Sequence, residues 1–348
     1  MSSPNYYHHL AHLKLPLNDI ISATDNFAHN ISIRESDFGY RYKGQLMLSG
    51  ELIHITAQRW SKEWDEKEQQ FWMEIFMLST LKHKNLVSLV GFCDENDEKV
   101  IIYKHETKGS LVNHLTDSKW LTWLRRLEIC LGLAHALSYI HYDEQRDFSV
   151  IHRNIASETV RLNDNWEPKL HEFRLSMKIT KSQRHLSFDT GKVSNRLGYT
   201  DPTYLETKSA HHKSDIYSFG IVMFELLFGR KAVINDDQDN KYLASVAVTH
   251  YRENKLNEMV DWDLWNQMDS QSFNIFAEIA YGCLNEERWE RPKIDETLTR
   301  LEKALELQRE HHNTAHGRLK VQYRPTKQQS PSAYLHQENL YAASRFLP

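Results

Sequence analysis

Two short stretches carry the polar side chains best spaced for chemistry: VIHRNIASETVRL from Val150 to Leu162, and LHEF from Leu170 to Phe173. In the first, Val150 and Ile151 form an apolar lead-in to a tight polar loop holding His152, Arg153 and Asn154. A loop that is strand-like at both ends presents such side chains at the floor of a cleft. Asn154 can hydrogen-bond a hydroxyl group, but its neutral amide cannot accept the proton. Thr159 adds one weak hydroxyl and Glu172 a carboxylate.

The first stretch resembles the catalytic loop of a protein kinase, H-R-D-x-K-x-x-N, and the second the strand into its D-F-G. In that family the loop Asp takes the substrate hydroxyl proton, the Lys steadies the γ-phosphate, and the Asn and the D-F-G Asp hold Mg²⁺. The resemblance places Asn154 at the base, Ala156 at the Lys, Thr159 at the metal Asn and Glu172 at the metal Asp. Arg174 replaces the small Gly after Phe173. It implies the frame of a kinase with its chemistry largely removed.

The elements that must position these groups run ahead of them. LNDIISATDNF spaces Leu17, Ile20, Ile21 and Ala23 at helical intervals. It is similar to the helix ending A-T-x-x-F that precedes the kinase domain of plant receptor-like kinases, through Ala23, Thr24 and Phe27. Next, IRESDFGYRYKGQL resembles I-G-x-G-x-F-G-x-V-Y-K-G-x-L, with Arg34 and Ser36 at the first two glycines and only Gly39 kept. Glycine matters there because the backbone must approach phosphates without a Cβ. A lone Gly in a hairpin is more simply a turn.

LIHITAQR, Leu52 to Arg59, alternates Ile53, Ile55 and Ala57 against His54, Thr56 and Gln58. The resemblance puts Thr56 at the Ala, and Gln58 at the Lys, of V-A-x-K, so the phosphate-gripping cation is missing. A one-residue slip to Arg59 would turn the strand inside out. Lys62 to Leu81 predicts a helix with Phe71, Ile75 and Leu78 on one stripe. Glu74, at its edge, matches the helix glutamate whose usual partner is that Lys; with Gln58 opposite, the pair becomes a charge-assisted hydrogen bond.

LKHKNLVSLVGFC and VIIYKHETKGSL resemble the following strands, hinge and helix start, and Leu121 to Asp143 predicts a buried helix. The stretch Asn195 to Tyr204, NRLGYTDPTY, stands for G-T-x-G-Y-x-D-P-E-Y. Thr203 thus replaces the Glu that pairs with a C-lobe Arg, matched by Arg291, and the salt bridge cannot form. KSDIYSFGIVMFELLFGRKA is nearly intact, with Asp215 placed to hydrogen-bond backbone around His152 and Arg153.

In the family, adenine lies between three apolar side chains; those positions hold Arg41, Thr56 and Arg161. Two cations about an apolar slot lose dispersion contacts and repel one another. Leu78, His152 and Phe173 keep the column that ties the lobes. The resemblance therefore implies an α+β bilobal protein-kinase fold, a small β-rich N-lobe at about 18–104 and a larger helical C-lobe at about 105–308. Its function is that of a pseudokinase that scaffolds or regulates active receptor-like kinases. No cofactor is expected, weak ATP with Mg²⁺ or Mn²⁺ being the exception. The alternatives are a residual ATP-dependent serine/threonine kinase, with Glu172 on one metal ion and Lys43 or Arg59 replacing Gln58, or an ATP-binding switch without transfer.

Composition fits this frame. The 348 residues, 40% hydrophobic and 26% charged, read as a globular chain. A net charge of −4 without a basic stripe argues against nucleic acid. Three scattered cysteines fit a reducing compartment. Neither a secretion core, a myristoylation signal, nor a run of roughly 18 to 20 apolar residues is found. The expected location is the cytoplasm, extending to the plasma membrane periphery through partners. Residues 1–17 and 309–348 are polar and are expected to be disordered tails.

Overall fold

The computed structural model describes residues 10–28, 33–34, 39–61, 66–193, 196–234 and 242–322. The chain divides into two units, Met1–Gln308 and Arg309–Pro348.

The first unit opens with helix α1 (Leu17–Ala23), then strands β1 (Ile33–Arg34), β2 (Gly39–Leu48) and β3 (Glu51–Trp60), helix α2 (Glu66–Thr80), β4 (Leu89–Glu95) and β5 (Glu98–Lys104). The strands form an antiparallel sheet in the order β1-β2-β3-β5-β4. Alternation sorts its two faces. Tyr42, Ile55, Ala57, Val100 and Ile102 join Leu17 and Ile20 of α1 in one core. The opposite face carries Arg41, Thr56 and Gln58, in register as Arg41 opposite Gln58 and Lys43 opposite Thr56. Gly44 serves the first face: a Cβ there would lie 2.3 Å from the carbonyl oxygen of Ala23.

The larger lobe begins with β6 (Gly109–Ser110) and the long helix α3 (Trp123–Tyr142), whose N-cap Thr122 accepts from Arg125 N. β7 (Phe148–Ile151) leads into the polar loop; β8 (Val160–Leu162) and β9 (Pro168–Leu170) follow, then β10 (Met177–Thr180), which pairs back onto β7. Next are β11 (Phe188–Asp189), α4 (Pro202–Thr207), β12 (Ser209–Ala210), α5 (His212–Phe228), α6 (Leu243–Arg252), α7 (Trp262–Trp265), α8 (Ser270–Cys283) and α9 (Ile294–Gln322). α5 is apolar almost all round and is buried along nearly its whole length, which makes it the pillar of this lobe. The mixed α+β, two-lobed architecture is the expected one.

Ordered residues extend into both expected tails. Leu10 is buried and Leu15 N donates to Phe92 O at 2.8 Å, so residues 10–17 pack along β4 rather than forming part of a disordered tail. At the other end α9 runs to Gln322, so residues 309–322 are helical. Residues 1–9 and 323–348 lie outside the described residues.

Candidate functional site

β7 delivers its loop against a single buried carboxylate. Asp215 Oδ2 accepts from His152 N and Oδ1 from Arg153 N, each at 2.8 Å, as expected. Oδ2 also meets His141 Nε2 at 2.9 Å. Arg153, at φ +65°, sends its guanidinium to the Tyr204 hydroxyl at 2.6 Å and to Leu175 O at 2.9 Å. His152 packs edge-on to Phe173 at 4.6 Å, and with Leu78 both are fully buried. Burial pushes the His152 imidazole down to about 4, so it is neutral at physiological pH.

The positions matched to base and metal ligands converge, but on one another. Asn154 Nδ2 donates to Glu172 Oε2 at 2.9 Å, while its Oδ1 accepts from Arg196 Nε at 2.9 Å. Both ends of the amide are used. Ala156 is buried and its N–H donates to Thr159 Oγ1 at 3.1 Å. The Thr159 hydroxyl turns back onto the loop, 3.0 Å from Asn154 O and 2.9 Å from Ala156 O.

Glu172 is held by three guanidinium groups: Arg174 at 2.7 Å, Arg196 at 3.3 Å and Arg41 at 3.4 Å. Burial disfavours its ionised form, but Arg174, and then Arg41 and Arg196, outweigh burial and hold the carboxyl well below the usual range. A divalent cation needs oxygen ligands free of competing cations. Here the carboxylate is already neutralised on both oxygens, and an added dication would meet three like charges. The residues at the two metal positions, Glu172 and Thr159, do not fit Mg²⁺ or Mn²⁺.

Gly39 lies at φ +121°, and a Cβ there would stand 2.0 Å from Arg59 O. Its lack of a side chain is thus required by the hairpin itself. Ser36 and Phe38 lie outside the described residues. Gln58 is buried beside Arg41, but the expected Gln58–Glu74 hydrogen bond is replaced: Glu74 Oε1 accepts from the Tyr103 hydroxyl at 3.3 Å. Burial pushes the Glu74 carboxyl up to about 7. Arg59 faces away from the cleft, paired with Glu98 at 2.7 Å through two nitrogens and lying over the Phe27 ring.

Arg41, Thr56 and Arg161 all line one cavity of about 200 Å³ between sheet and loop, together with Lys43, Lys104 and Lys108. The lining is strongly cationic.

The C-lobe arginine pairs elsewhere than with Thr203. Arg291 is fully buried and has a carboxylate after all: Asp201 Oδ1 lies 2.8 Å from it, and Asp201 Oδ2 takes Arg288 at 3.0 Å and the Ser214 hydroxyl at 2.7 Å. Asp201, Arg196 and Tyr103 were missed from sequence. For Arg196 the available signal was charge compensation, a cation at the Thr of G-T-x-G-Y opposite a retained carboxylate.

The two-lobed fold, the loop anchored on Asp215 and the buried column of Leu78, His152 and Phe173 define a protein-kinase domain. The chain belongs to the protein tyrosine and serine/threonine kinase family, whose pattern matches residues 29–301. It is similar to three Arabidopsis thaliana proteins. The receptor-like protein kinase HERK 1 is 34% identical over 302 residues, 86% of this chain and 35% of that protein. ANXUR1 is 33% identical over 306 residues, 87% of this chain and 35% of that protein. FERONIA is 34% identical over 294 residues, 83% of this chain and 32% of that protein. The chain thus spans about a third of the length of these relatives. Among the described residues, no helix is long and apolar enough to cross a membrane.

Proposed function

We propose that this chain is a pseudokinase: a kinase fold that no longer transfers phosphate and acts by contact on active receptor-like kinases. The observation that carries the reading is the caging of Glu172 by Arg41, Arg174 and Arg196. In a kinase that carboxylate position brings the metal ion to the phosphates. Here it ties the sheet, the loop after β9 and the segment before α4 into one ion cluster. Asn154 cannot accept a proton, and Arg196 occupies its carbonyl oxygen. Loss of a positioned base alone lowers rates by about 10²–10⁴. The intact Asp215 anchor and the buried column keep the architecture that a docking partner would recognise.

Names of the relatives support receptor-like kinases as the partner class, with the chain at the cytoplasmic side of the plasma membrane through them. The residual-kinase alternative is disfavoured at one point, because Arg59 is committed to Glu98.

The experiment is incorporation of labelled phosphate by the purified chain with Mg²⁺ or Mn²⁺, alone and mixed with the kinase domain of a related receptor-like kinase. The chain alone gives no incorporation above an ATP-free background, and the mixture shows an altered rate for the active partner. Incorporation by the chain alone that vanishes with Glu172→Ala overturns the reading.

A further inference from the structure

Residues 10–23 lie ahead of the matched kinase pattern, which starts at residue 29, and they hold their shape by docking on the small lobe. α1 has seven residues, and Pro16 at its N-cap supplies no side-chain hydrogen bond. A helix this short does not stand alone in water. Leu10 is buried and, with Leu13, joins the core that holds Phe71, Trp72 and Ile75 of α2. Leu15, Leu17 and Ile20 join the other core, across the sheet, with Tyr42 and Ile55. The segment thus clasps the β4 edge from both faces. Leu15 N donates to Phe92 O at 2.8 Å and Leu17 N to Glu95 Oε2 at 3.1 Å.

The turn that returns this segment to the lobe is conformationally costly. Asp25, Asn26 and Phe27 stand at φ +48°, +54° and +54°. Residues other than glycine enter this left-handed region singly, and a bulky one such as Phe scarcely at all. Phe27 is held there by packing, edge-on to Tyr42 at 5.1 Å and beneath the Arg59 guanidinium. Asp25 and Asn26 are exposed, and on opening the turn Asn26 N would exchange Ile21 O, at 2.8 Å, for water. A docked segment tethered through a strained turn favours exchange, because an identical segment from a second chain makes the same docking contacts while the opened turn relaxes. We infer that residues 10–23 exchange between two copies of this chain, each seating its segment along β4 of the other, with residues 25–27 as the hinge. The exchange goes beyond the pseudokinase reading and uses no group of the cleft, so phosphate-transfer assays leave it untouched.

The test is sedimentation of the whole chain over a concentration series after slow annealing, then carbodiimide coupling of mixed light-nitrogen and heavy-nitrogen copies. Lys14 Nζ lies 3.5 Å from Glu95 Oε1, and the two side chains are 45% and 36% exposed, so a zero-length link joins them without any substitution. In an exchanged dimer that link runs between copies, and mass spectrometry finds Lys14–Glu95 peptides with one light and one heavy half. The expected result is a concentration-dependent dimer carrying such mixed links, beside a monomer carrying only uniform ones. Asp25→Gly with Asn26→Gly accepts the left-handed turn without cost and weakens the dimer at least about tenfold. Asp25→Pro cannot adopt the turn and strengthens the dimer. A chain that stays monomeric at submillimolar concentration, a dimer whose links are all uniform in label, or an affinity unchanged in the glycine variant overturns the inference. The label mixture and the glycine variant decide it even if the proline variant fails to fold.

Discussion

Arg174 Nη1 stands 2.7 Å from Glu172 Oε2, and both side chains are more than nine-tenths buried. An arginine two residues after the carboxylate, where a kinase has glycine, folds back to neutralise the group that would hold the metal. Removing one partner of a buried ion pair costs about 3–5 kcal/mol, because the other charge is left without compensation. Arg41, Arg196 and Asn154 still hold Glu172, so Arg174→Met is expected at the lower end, about 3 kcal/mol, in urea denaturation.

The same cluster sets an acid response. The folded value of Glu172 lies far below its ordinary 4.5, so its stabilisation is complete above that pH and is lost as pH falls towards the folded value. Glu172→Gln should therefore be less stable than the parent chain at pH 7, with the gap narrowing as pH drops below about 4.5. Urea midpoints at pH 3.5, 5 and 7 read this directly, and a constant gap would count against the ion cluster.

Glu74 works in the opposite direction. Burial raises it from 4.5 to about 7, so the fold favours its protonated form. That contribution is fully present below pH 4.5 and is lost as pH rises through about 7. Glu225, raised to about 8, extends the decline. Glu74→Gln keeps an acceptor for Tyr103 and should make the fall in stability between pH 5 and 7.5 shallower, leaving the larger share that comes from Glu225.

Period and punctuation made most of the frame legible. Ile53, Ile55 and Ala57 alternate against Thr56 and Gln58 so cleanly that the strand could face only one way, and the structure has it so. The contacts of Glu172 were not legible in the same way. Its partners sit at positions 41, 174 and 196, and no local pattern links Glu172 to Arg196, 24 residues on, or to Arg41, 131 residues back. Thr203 forms no salt bridge with Arg291, as its side chain dictates, but the motif does not reveal that Asp201, one of the residues retained, holds that arginine instead. Leu10 was hidden by its polar, His-rich surroundings; the edge of β4 gives that stretch a backbone partner at Phe92.

The Asp201 cluster predicts an asymmetry between two changes two residues apart. Asp201→Ala strands the buried Arg288 and Arg291 and uncaps α4, where Asp201 accepts from Thr203 N, so about 3–5 kcal/mol is lost. Thr203→Glu restores the residue of the family motif but finds Arg291 already taken, so its thermal midpoint should stay within the shift of an ordinary surface change, about 0.5 kcal/mol.

Restoring the loop base alone should not restore transfer. In Asn154→Asp the new carboxylate oxygen would sit 2.9 Å from Arg196 Nε, and its other oxygen would face Glu172 without the amide N–H that now bridges them. One oxygen is captured by a cation and the other meets a like charge. The expected outcome is a less stable protein with phosphate incorporation still at background. Arg196→Ala in the same chain would free the carboxylate from its cation, yet Glu172 would keep Arg41 and Arg174 and still be denied to a metal ion. Assayed with Mg²⁺ and with Mn²⁺, the double variant should therefore also remain at background. Activity in either variant would show that the base, and not the caged carboxylate, is what separates this cleft from a working one.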